Sequence, residues 1–314
     1  MQDRIRQLDY LKCVFIVLMI IFHLVYVGDK YPYAKQVVYT FHMPVFLVIS
    51  GYLANMDKGI GKLARQVKWL LVPYAVMEAG YTYMASLLPI REHIERLTVG
   101  VFIDKLLLHP LGPYWYLHTL IVCYLIYYGA SRLRQRVGVA GVVCLMGVAF
   151  YAADELLGIV SLHNAMYFMA GAMVRMCGVQ FIRAFSPTLL DAVPLALFCI
   201  VSPEGLDRST LQGFAMTWLA MSFALAAEPH IGRKARAAAH FIGRNTLAIL
   251  LFSPMFTIIT KRFVPLFAFD PTALLYTAVS VAFTIGGSLA VAWVMDRLRL
   301  SRWFSGKRLY NAPE

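Results

Sequence analysis

The amino-acid sequence predicts an all-α integral membrane protein with ten transmembrane helices. The chain has 314 residues, of which 60% are hydrophobic, whereas a soluble domain is about 45–50% apolar. The apolar residues fall into blocks of about 20 residues, which is the length that a helix needs to cross the hydrocarbon core. Since the backbone must satisfy its own hydrogen bonds inside lipid, each block is expected to be a helix.

The ten predicted spans follow one another through mostly short connections. They cover residues 9–28, 36–55, 69–88, 114–130, 137–153, 160–178, 187–202, 209–227, 243–260 and 271–296. The longest connection, from Pro89 to Pro113, is expected to hold a short helix at the membrane surface. Because no connection is long enough for a second folded domain, residues 1–314 are predicted to form a single transmembrane domain.

The distribution of charge predicts the orientation. The net charge is +12, which in a soluble protein would suggest nucleic-acid binding. Here 21 of the 29 lysines and arginines lie on one side, in the terminal segments, in the connections or at the span ends next to them. Because basic connections stay in the cytoplasm, both termini are predicted to be cytoplasmic. The basic face is expected to meet anionic membrane lipids, and no nucleic-acid partner is expected.

No metal site is predicted. The five cysteines form no CxxC pair and fall mostly within apolar blocks, so they are expected to act as small apolar residues rather than as ligands or disulfides. Histidine clusters can bind zinc, but the histidines of the predicted spans lack a paired ligand spacing.

Ionisable residues at bilayer depth are costly, so each one is a candidate for function. Lys12 and His23 lie eleven residues apart in the first span, close to three helical turns, so both face the same way. Asp9 lies fourteen residues before His23 on nearly the same face. Lys12 can reach the interface with its ammonium group, but this does not account for His23, which lies deeper.

Three further ionisable residues join this pattern. His42 and His118 enter their spans from the side opposite the termini, to about the depth of His23, which predicts a shared pocket that handles protons or binds substrate. Glu78 lies near the middle of the third span. For Glu78 a structural partnership within the bundle and a functional role are equally compatible with the sequence.

Five segments together resemble the acyltransferase-3 family of membrane O-acyltransferases. They are RIRQLDYLKCVFIVLMIIFH (residues 4–23), FHMPVFLVISGYL (41–53), WLLVPY (69–74), GPYWYLHTLIVCYL (112–125) and IGRNTLAILLFSPMF (242–256). In the first segment, Lys12 and His23 occupy the family's basic-x10-His positions. Lys12 stands where many relatives have arginine, which reduces bidentate phosphate binding there.

The resemblance implies transfer of an acyl group, most often acetyl from acetyl-CoA, to a hydroxyl of an envelope or exopolysaccharide sugar. It also implies a bacterial inner membrane location and a glycan or lipid-linked sugar as acceptor. His23 is the expected general base or, alternatively, the residue that becomes acylated. The other expected catalytic residues are His42, Glu78 and His118. The residues expected at the acyl-CoA site are Arg4, Asp9, Lys12, Ser50, Arg65, Lys68 and Asn245, where Asp9 is expected to order Arg4 or Lys12.

Two other functional classes compete with this interpretation. A proton-coupled carrier of glycans or lipid-linked sugars would also use intramembrane His and Glu residues. Such a carrier often has an internal repeat, whereas here the polar residues cluster in the first four spans. A non-catalytic membrane subunit would need long connections for its partners, and most connections here are short.

Overall fold

The computed structural model describes residues 5–56, 59–87 and 92–312, and this part of the chain contains α-helices and 3-10 turns but no strand. The chain is therefore all-α, as predicted. The α-helices in chain order are α1 (Arg6–His23), α2 (Val25–Lys30), α3 (Pro32–Leu53), α4 (Ile60–Leu87), α5 (Val99–Leu107), α6 (Trp115–Ser131), α7 (Arg134–Glu155), α8 (Leu162–Met176), α9 (Phe181–Phe185), α10 (Ala192–Val201), α11 (Leu211–Ala227), α12 (Arg233–Arg244), α13 (Thr246–Thr260), α14 (Leu274–Arg297) and α15 (Leu300–Ser305).

Every predicted span overlaps helix in the part of the chain that the structure describes. Four helical segments are long and apolar enough to cross a bilayer, namely Pro32–Leu53, Arg134–Glu155, Thr246–Phe267 and Leu274–Arg297. The other six predicted spans correspond to helices that are shorter, interrupted or more polar. The ten-span count therefore stays a prediction, whereas the helix α5 in the longest connection is confirmed.

The chain divides into two compact units, and the boundary between them falls within α3. The first, called unit 1, comprises Met1–Phe46, Gln180–Arg302 and Lys307–Glu314. The second, called unit 2, comprises Leu47–Val179 and Trp303–Gly306.

Helix α1 is the central helix of unit 1 and packs against α11, α12, α13 and α14. Its closest approach to α12 occurs at Gly243, where an added Cβ would lie 1.7 Å from the carbonyl oxygen of Asp9. The two backbones can meet only because residue 243 has no side chain, as small residues allow in membrane helix packing. Sequence patterning had predicted residues 233–236 as part of a basic connection, and α12 is a difference from that prediction.

Helix α1 ends at His23 because Leu24 takes an extended conformation (φ −69°, ψ 104°) before α2 begins. Leu24 is fully buried in a cluster with Val27 and Tyr276. Burial of this side chain fixes the position of the break, and the predicted first span, residues 9–28, is therefore interrupted at the residue after His23.

In unit 2, α3 and α8 are joined by a reciprocal glycine contact. An added Cβ at Gly51 would lie 1.9 Å from the carbonyl oxygen of Phe168, and one at Gly171 would lie 1.9 Å from that of Val48. Helix α6 packs against α4, α7 and α8. Because of this packing, the end of α6, the start of α7 and the end of α8 lie in one unit. The charge pattern predicts that these helix ends face the cytoplasm.

Candidate active site

His23 is the last residue of α1, and its imidazole is exposed. Nδ1 lies 2.7 Å from the carbonyl oxygen of Met19, one turn earlier in the same helix. A carbonyl can only accept a hydrogen bond, so Nδ1 carries the proton and donates. Nε2 is left with a lone pair, which is the form of imidazole that can take a proton from another molecule.

His42 on α3 repeats this arrangement in a buried position. Its Nδ1 donates to the carbonyl oxygen of Val38 over 2.9 Å. The residue is 4% exposed, and its Nε2 has no hydrogen-bond partner among the described residues. A buried polar atom without a partner is costly, and the Nε2 of His42 is such an atom, next to the rings of His23 and Tyr39.

Tyr39 connects the two imidazoles. Its ring centroid lies 5.6 Å from that of His23 and 5.0 Å from that of His42, and the two imidazole centroids are 6.2 Å apart. The Tyr39 hydroxyl donates to the carbonyl oxygen of Phe22 over 3.2 Å. This bond ties α3 to the last turn of α1. The three side chains are called the His23–Tyr39–His42 cluster.

A basic residue lies beside this cluster. Lys35 places its Nζ 5.6 Å from the centroid of the Tyr39 ring. The predicted spans put Lys35 in a connection and Tyr39 inside the second span. Lys35 and Tyr39 lie seven and three residues before His42, and this spacing places all three on one helix face. From that spacing, their proximity to His42 could have been predicted.

Glu78 and His118 lie in unit 2 and bind the backbone at the end of α5 and in the segment that follows it. Glu78 is fully buried, and its Oε1 accepts from the amide of Leu111 over 2.7 Å and from the hydroxyl of Thr82 over 3.3 Å. The Nε2 of His118 donates to the carbonyl oxygen of Leu107 over 2.9 Å. These contacts give both side chains a structural task, and their direct part in catalysis stays a prediction.

The same segment is held by two further contacts. Tyr74, whose ring centroid is 5.6 Å from that of His118, donates to the carbonyl oxygen of Leu106 over 2.8 Å. On the exposed side, Nδ1 of His109 lies 2.7 Å from Asp104, and this hydrogen bond lowers the pKa of the Asp104 carboxyl. Residues 104–111 are therefore fixed by side chains from α4, from α6 and from the segment itself.

The residues expected to hold the acyl donor lie in several places. Asp9 and Lys12 form an ion pair with 3.0 Å between Oδ1 and Nζ, and a role of this pair in holding the donor stays a prediction. Lys12 and His23 both lie on the uninterrupted helix α1. Arg4 lies outside the described residues. Arg65 and Lys68 are exposed on α4, and the Lys68 Nζ stacks 5.0 Å from the centroid of Trp69.

Ser50 and Asn245 make contacts that the sequence did not predict. The Ser50 hydroxyl is 2.8 Å from that of Tyr116 within unit 2. The side-chain amide of Asn245 makes two hydrogen bonds with the backbone of Asn311. Its Nδ2 donates to the carbonyl oxygen over 3.0 Å, and its Oδ1 accepts from the backbone amide over 2.8 Å. Asn245 thus clamps the C-terminal segment, and a contact with the donor stays a prediction.

Histidine, cysteine, aspartate and glutamate side chains form no group of three that could hold a metal ion in the part of the chain that the structure describes.

Comparison with known proteins gives one match. A family model described as an acyltransferase domain, that of the acyltransferase-3 family, matches residues 5–293. No curated protein and no solved structure matches the chain. The matched range includes every helix of the His23–Tyr39–His42 cluster and of the Glu78 and His118 contacts.

Proposed function

Because this chain belongs to the acyltransferase-3 family, we propose that it is a membrane O-acyltransferase that moves an acyl group from acyl-CoA to a sugar hydroxyl. Acetyl is the acyl group that we propose, with acetyl-CoA as donor. The proposed acceptor is a hydroxyl of an envelope or exopolysaccharide sugar, free or linked to a lipid.

The observation that carries this proposal is the tautomer of His23. Its Nδ1–H is held by Met19, and its exposed ring leaves Nε2 able to accept a proton. A sugar hydroxyl is a weak nucleophile until a positioned base removes its proton during attack, which contributes about 10²–10⁴-fold in rate. His23 meets this requirement at the end of a helix whose geometry is fixed by the buried Leu24.

In the proposed reaction the hydroxyl oxygen attacks the thioester carbonyl while Nε2 of His23 takes the hydroxyl proton. The tetrahedral intermediate then collapses with cleavage of the carbon–sulfur bond, and His23 returns the proton to the departing thiolate. The products are the sugar ester and free CoA thiol. The unpaired Nε2 of His42 can accept a hydrogen bond from the acceptor and so orient it.

Two alternatives differ in chemistry. In the first, Nε2 of His23 attacks the thioester itself, and an acyl-histidine then passes the group to the sugar. In the second, the chain would be a proton-coupled carrier, but the family match and the exposed base at His23 both favour transfer.

We further propose ten spans with both termini in the cytoplasm of a bacterial inner membrane. The support is the bias of lysine and arginine towards one side. In this orientation Lys12 faces the cytoplasm, where acyl-CoA is found, and His23 lies towards the other face. The proposed partners are the acyl-CoA, the glycan acceptor and membrane lipids.

The test is acyl transfer by the purified protein from radiolabelled acetyl-CoA to a pool of envelope glycans. His23→Ala is compared with His230→Ala. His230 is a matched control because its Nδ1 makes the same bond to a carbonyl four residues earlier, Ala226, at 3.0 Å. Wild type and His230→Ala should label glycan equally, and His23→Ala should label it at least about 100-fold more slowly. Equal loss in both variants, or transfer that survives in His23→Ala, would overturn the role of His23.

The proposed orientation has its own test. Cys177 is exposed and predicted to be cytoplasmic, whereas the exposed Arg96 is predicted to lie outside. With the other cysteines replaced by alanine, a membrane-impermeant maleimide added to intact cells should label Arg96→Cys and leave Cys177 unlabelled until the cells are opened. The reverse pattern would refute the orientation.

A further inference from the structure

Lys35 lies in the first turn of α3, on the helix face that also carries Tyr39 and His42. The residue is half-buried, and its Nζ lies 5.6 Å from the centroid of the Tyr39 ring. The Tyr39 centroid is in turn 5.6 Å from that of His23. The ammonium group is therefore one aromatic ring away from the exposed imidazole, and a single glycan could contact both groups.

Neighbouring groups hold the lysine in this position. Its stem runs along α2 at Gly28, where an added Cβ would lie 3.1 Å from Cδ and 3.2 Å from Nζ of Lys35. The Lys35 amide donates to the carbonyl oxygen of Tyr31 over 3.0 Å, and the Tyr31 hydroxyl donates to that of Thr272 over 2.7 Å. Because the backbone and the stem are both held, less side-chain entropy is lost when a ligand binds the ammonium group.

The ammonium group keeps donors that the protein itself does not use. Among residues 5–56, 59–87 and 92–312, none accepts a hydrogen bond from Nζ of Lys35 or forms an ion pair with it. The contact with Tyr39 uses the charge of the ammonium group, whereas its three N–H groups are donors to oxygen atoms. This half-buried cation can therefore bind an anion.

The orientation of the chain does not require a cation at this position. In the proposed orientation Lys35 lies on the side opposite the cytoplasm, where lysines and arginines are few. Its charge is therefore not one of the signals that keep a connection in the cytoplasm, and a role in binding accounts for it better.

The two imidazoles supply hydrogen-bond acceptors next to this cation. Nε2 of the buried His42 has no partner among the described residues, and the tautomer of His23 leaves its Nε2 as an acceptor as well. A neutral sugar could donate from its hydroxyl groups to these two atoms, but it would leave the ammonium group of Lys35 without an anion. A sugar that also carries a negative charge would use all three groups.

We propose that the acceptor carries an anionic group, a carboxylate or a phosphate, which binds Lys35 while the hydroxyl to be acylated meets His23. This inference rests on the proposed function, because it names the class of acceptor for the same site. The anion has two sources, namely the carboxylate of an acidic sugar and the phosphate that links a sugar to a lipid carrier. A lysine ammonium is a compact point charge, and it suits both anions.

The first arm of the test measures binding of sugars in the absence of acyl-CoA. The probes are a radiolabelled hexuronic-acid oligosaccharide and the same oligosaccharide with its carboxyl groups reduced to hydroxymethyl groups, and equilibrium dialysis gives both affinities for the purified protein. Wild type should bind the charged probe about tenfold more tightly, which is the size expected for one charged hydrogen bond. Lys35→Gln should lose this preference without a change for the neutral probe, and Lys35→Arg, which keeps the charge, should retain most of it.

Lys30→Gln is the matched control. The Nζ of Lys30 also lies near a tyrosine ring, 6.0 Å from the Tyr26 centroid, but Tyr26 is not part of the His23–Tyr39–His42 cluster. Lys30→Gln removes the same charge from the same side of the protein and should keep the wild-type preference. Unfolding midpoints in detergent show whether the variants are folded, and the preference of wild type tests the proposal without any variant.

The second arm uses a neutral sugar linked through a diphosphate to a polyprenol, and the same sugar linked to the polyprenol without phosphate. Native mass spectrometry counts how much of each lipid the purified protein retains. The carrier phosphate is the source if wild type and Lys30→Gln prefer the diphosphate form, Lys35→Gln does not, and the two oligosaccharides bind alike.

Equal binding of charged and neutral probes by wild type in both arms, or no binding of any probe, would overturn the proposal. Equal effects of Lys35→Gln and Lys30→Gln would overturn it as well. A preference that depends on Lys35, found in a protein that transfers no acyl group, would refute only the proposed acyl transfer. Transfer to neutral glycans that is as fast as to charged ones, and as fast in Lys35→Gln as in wild type, would refute only the anionic acceptor.

Discussion

The imidazole rings of His23 and His42 meet edge to face with their centroids 6.2 Å apart, although they lie on different helices. Each ring donates from Nδ1 to the carbonyl oxygen of the residue four positions earlier. These two hydrogen bonds fix the same tautomer in both rings, and Nε2 of each ring is left as an acceptor. One lies on an exposed ring and the other is buried without a partner, which suits a base beside an orienting group.

If His23 and His42 act on the same acceptor hydroxyl, their substitutions should not be additive. We expect His42→Ala to slow acyl transfer by about 10²-fold and the double variant with His23→Ala to be no slower than His23→Ala alone, since groups that act as a unit lose their effect together. The measurement is a double-mutant cycle on kcat/KM for acetyl-CoA and glycan. Fully multiplicative losses would show that His42 acts elsewhere.

The Lys12–His23 relationship could be predicted from the sequence because it depends only on the regular repeat of one helix. The contacts of Tyr39 and Lys35 with the cluster could not, since aromatic and basic residues at a predicted membrane boundary usually have a simpler explanation. Asn245 and Asn311 are 66 residues apart, and no periodicity reports a contact over that separation.

Helix α12 shows why a local pattern can mislead. Its segment, RKARAAAHFIGR, has basic residues that indicate a cytoplasmic connection, but its alanines favour helix. The deciding feature is Gly243, whose lack of a side chain allows α12 to lie on α1. That requirement becomes visible only when the partner helix is known.

Gly243 should tolerate no side chain. Gly243→Ala would place its Cβ 1.7 Å from the Asp9 carbonyl oxygen, and since the obstructing atom is backbone, α1 and α12 must move apart. We expect a loss of about 1–3 kcal/mol or more in the free energy of unfolding and a raised KM for acyl-CoA, because Asp9, the ion-pair partner of Lys12, lies at this crossing. Gly286→Ala in α14 is the control, since nothing lies within 4 Å of its added Cβ. Thermal unfolding in detergent compares the two, and equal midpoints would contradict the close crossing.

Glu78 should be replaceable by a residue that keeps its acceptor oxygen. Glu78→Ala leaves the buried amide of Leu111 without its acceptor, at a cost of about 1–3 kcal/mol, whereas Glu78→Gln retains a carbonyl oxygen for that bond. We expect Glu78→Ala to lower the unfolding midpoint and to speed hydrogen exchange at Leu111, and Glu78→Gln to leave both near wild type. A stable Glu78→Gln variant that has lost acyl transfer would instead place the carboxylate in the chemistry.

Asn245 should protect the C-terminal segment rather than recognise the donor. Asn245→Ala removes both hydrogen bonds to the backbone of Asn311, whereas Asn311→Ala keeps them because they use main-chain atoms. We expect a C-terminal epitope to be cleaved by protease several times faster in Asn245→Ala than in Asn311→Ala or wild type, with KM for acyl-CoA unchanged while the tail is intact. The opposite pattern, a protected tail with a raised KM, would show that Asn245 contacts the donor. In that case the hydrogen bonds to Asn311 would be dispensable for docking the tail.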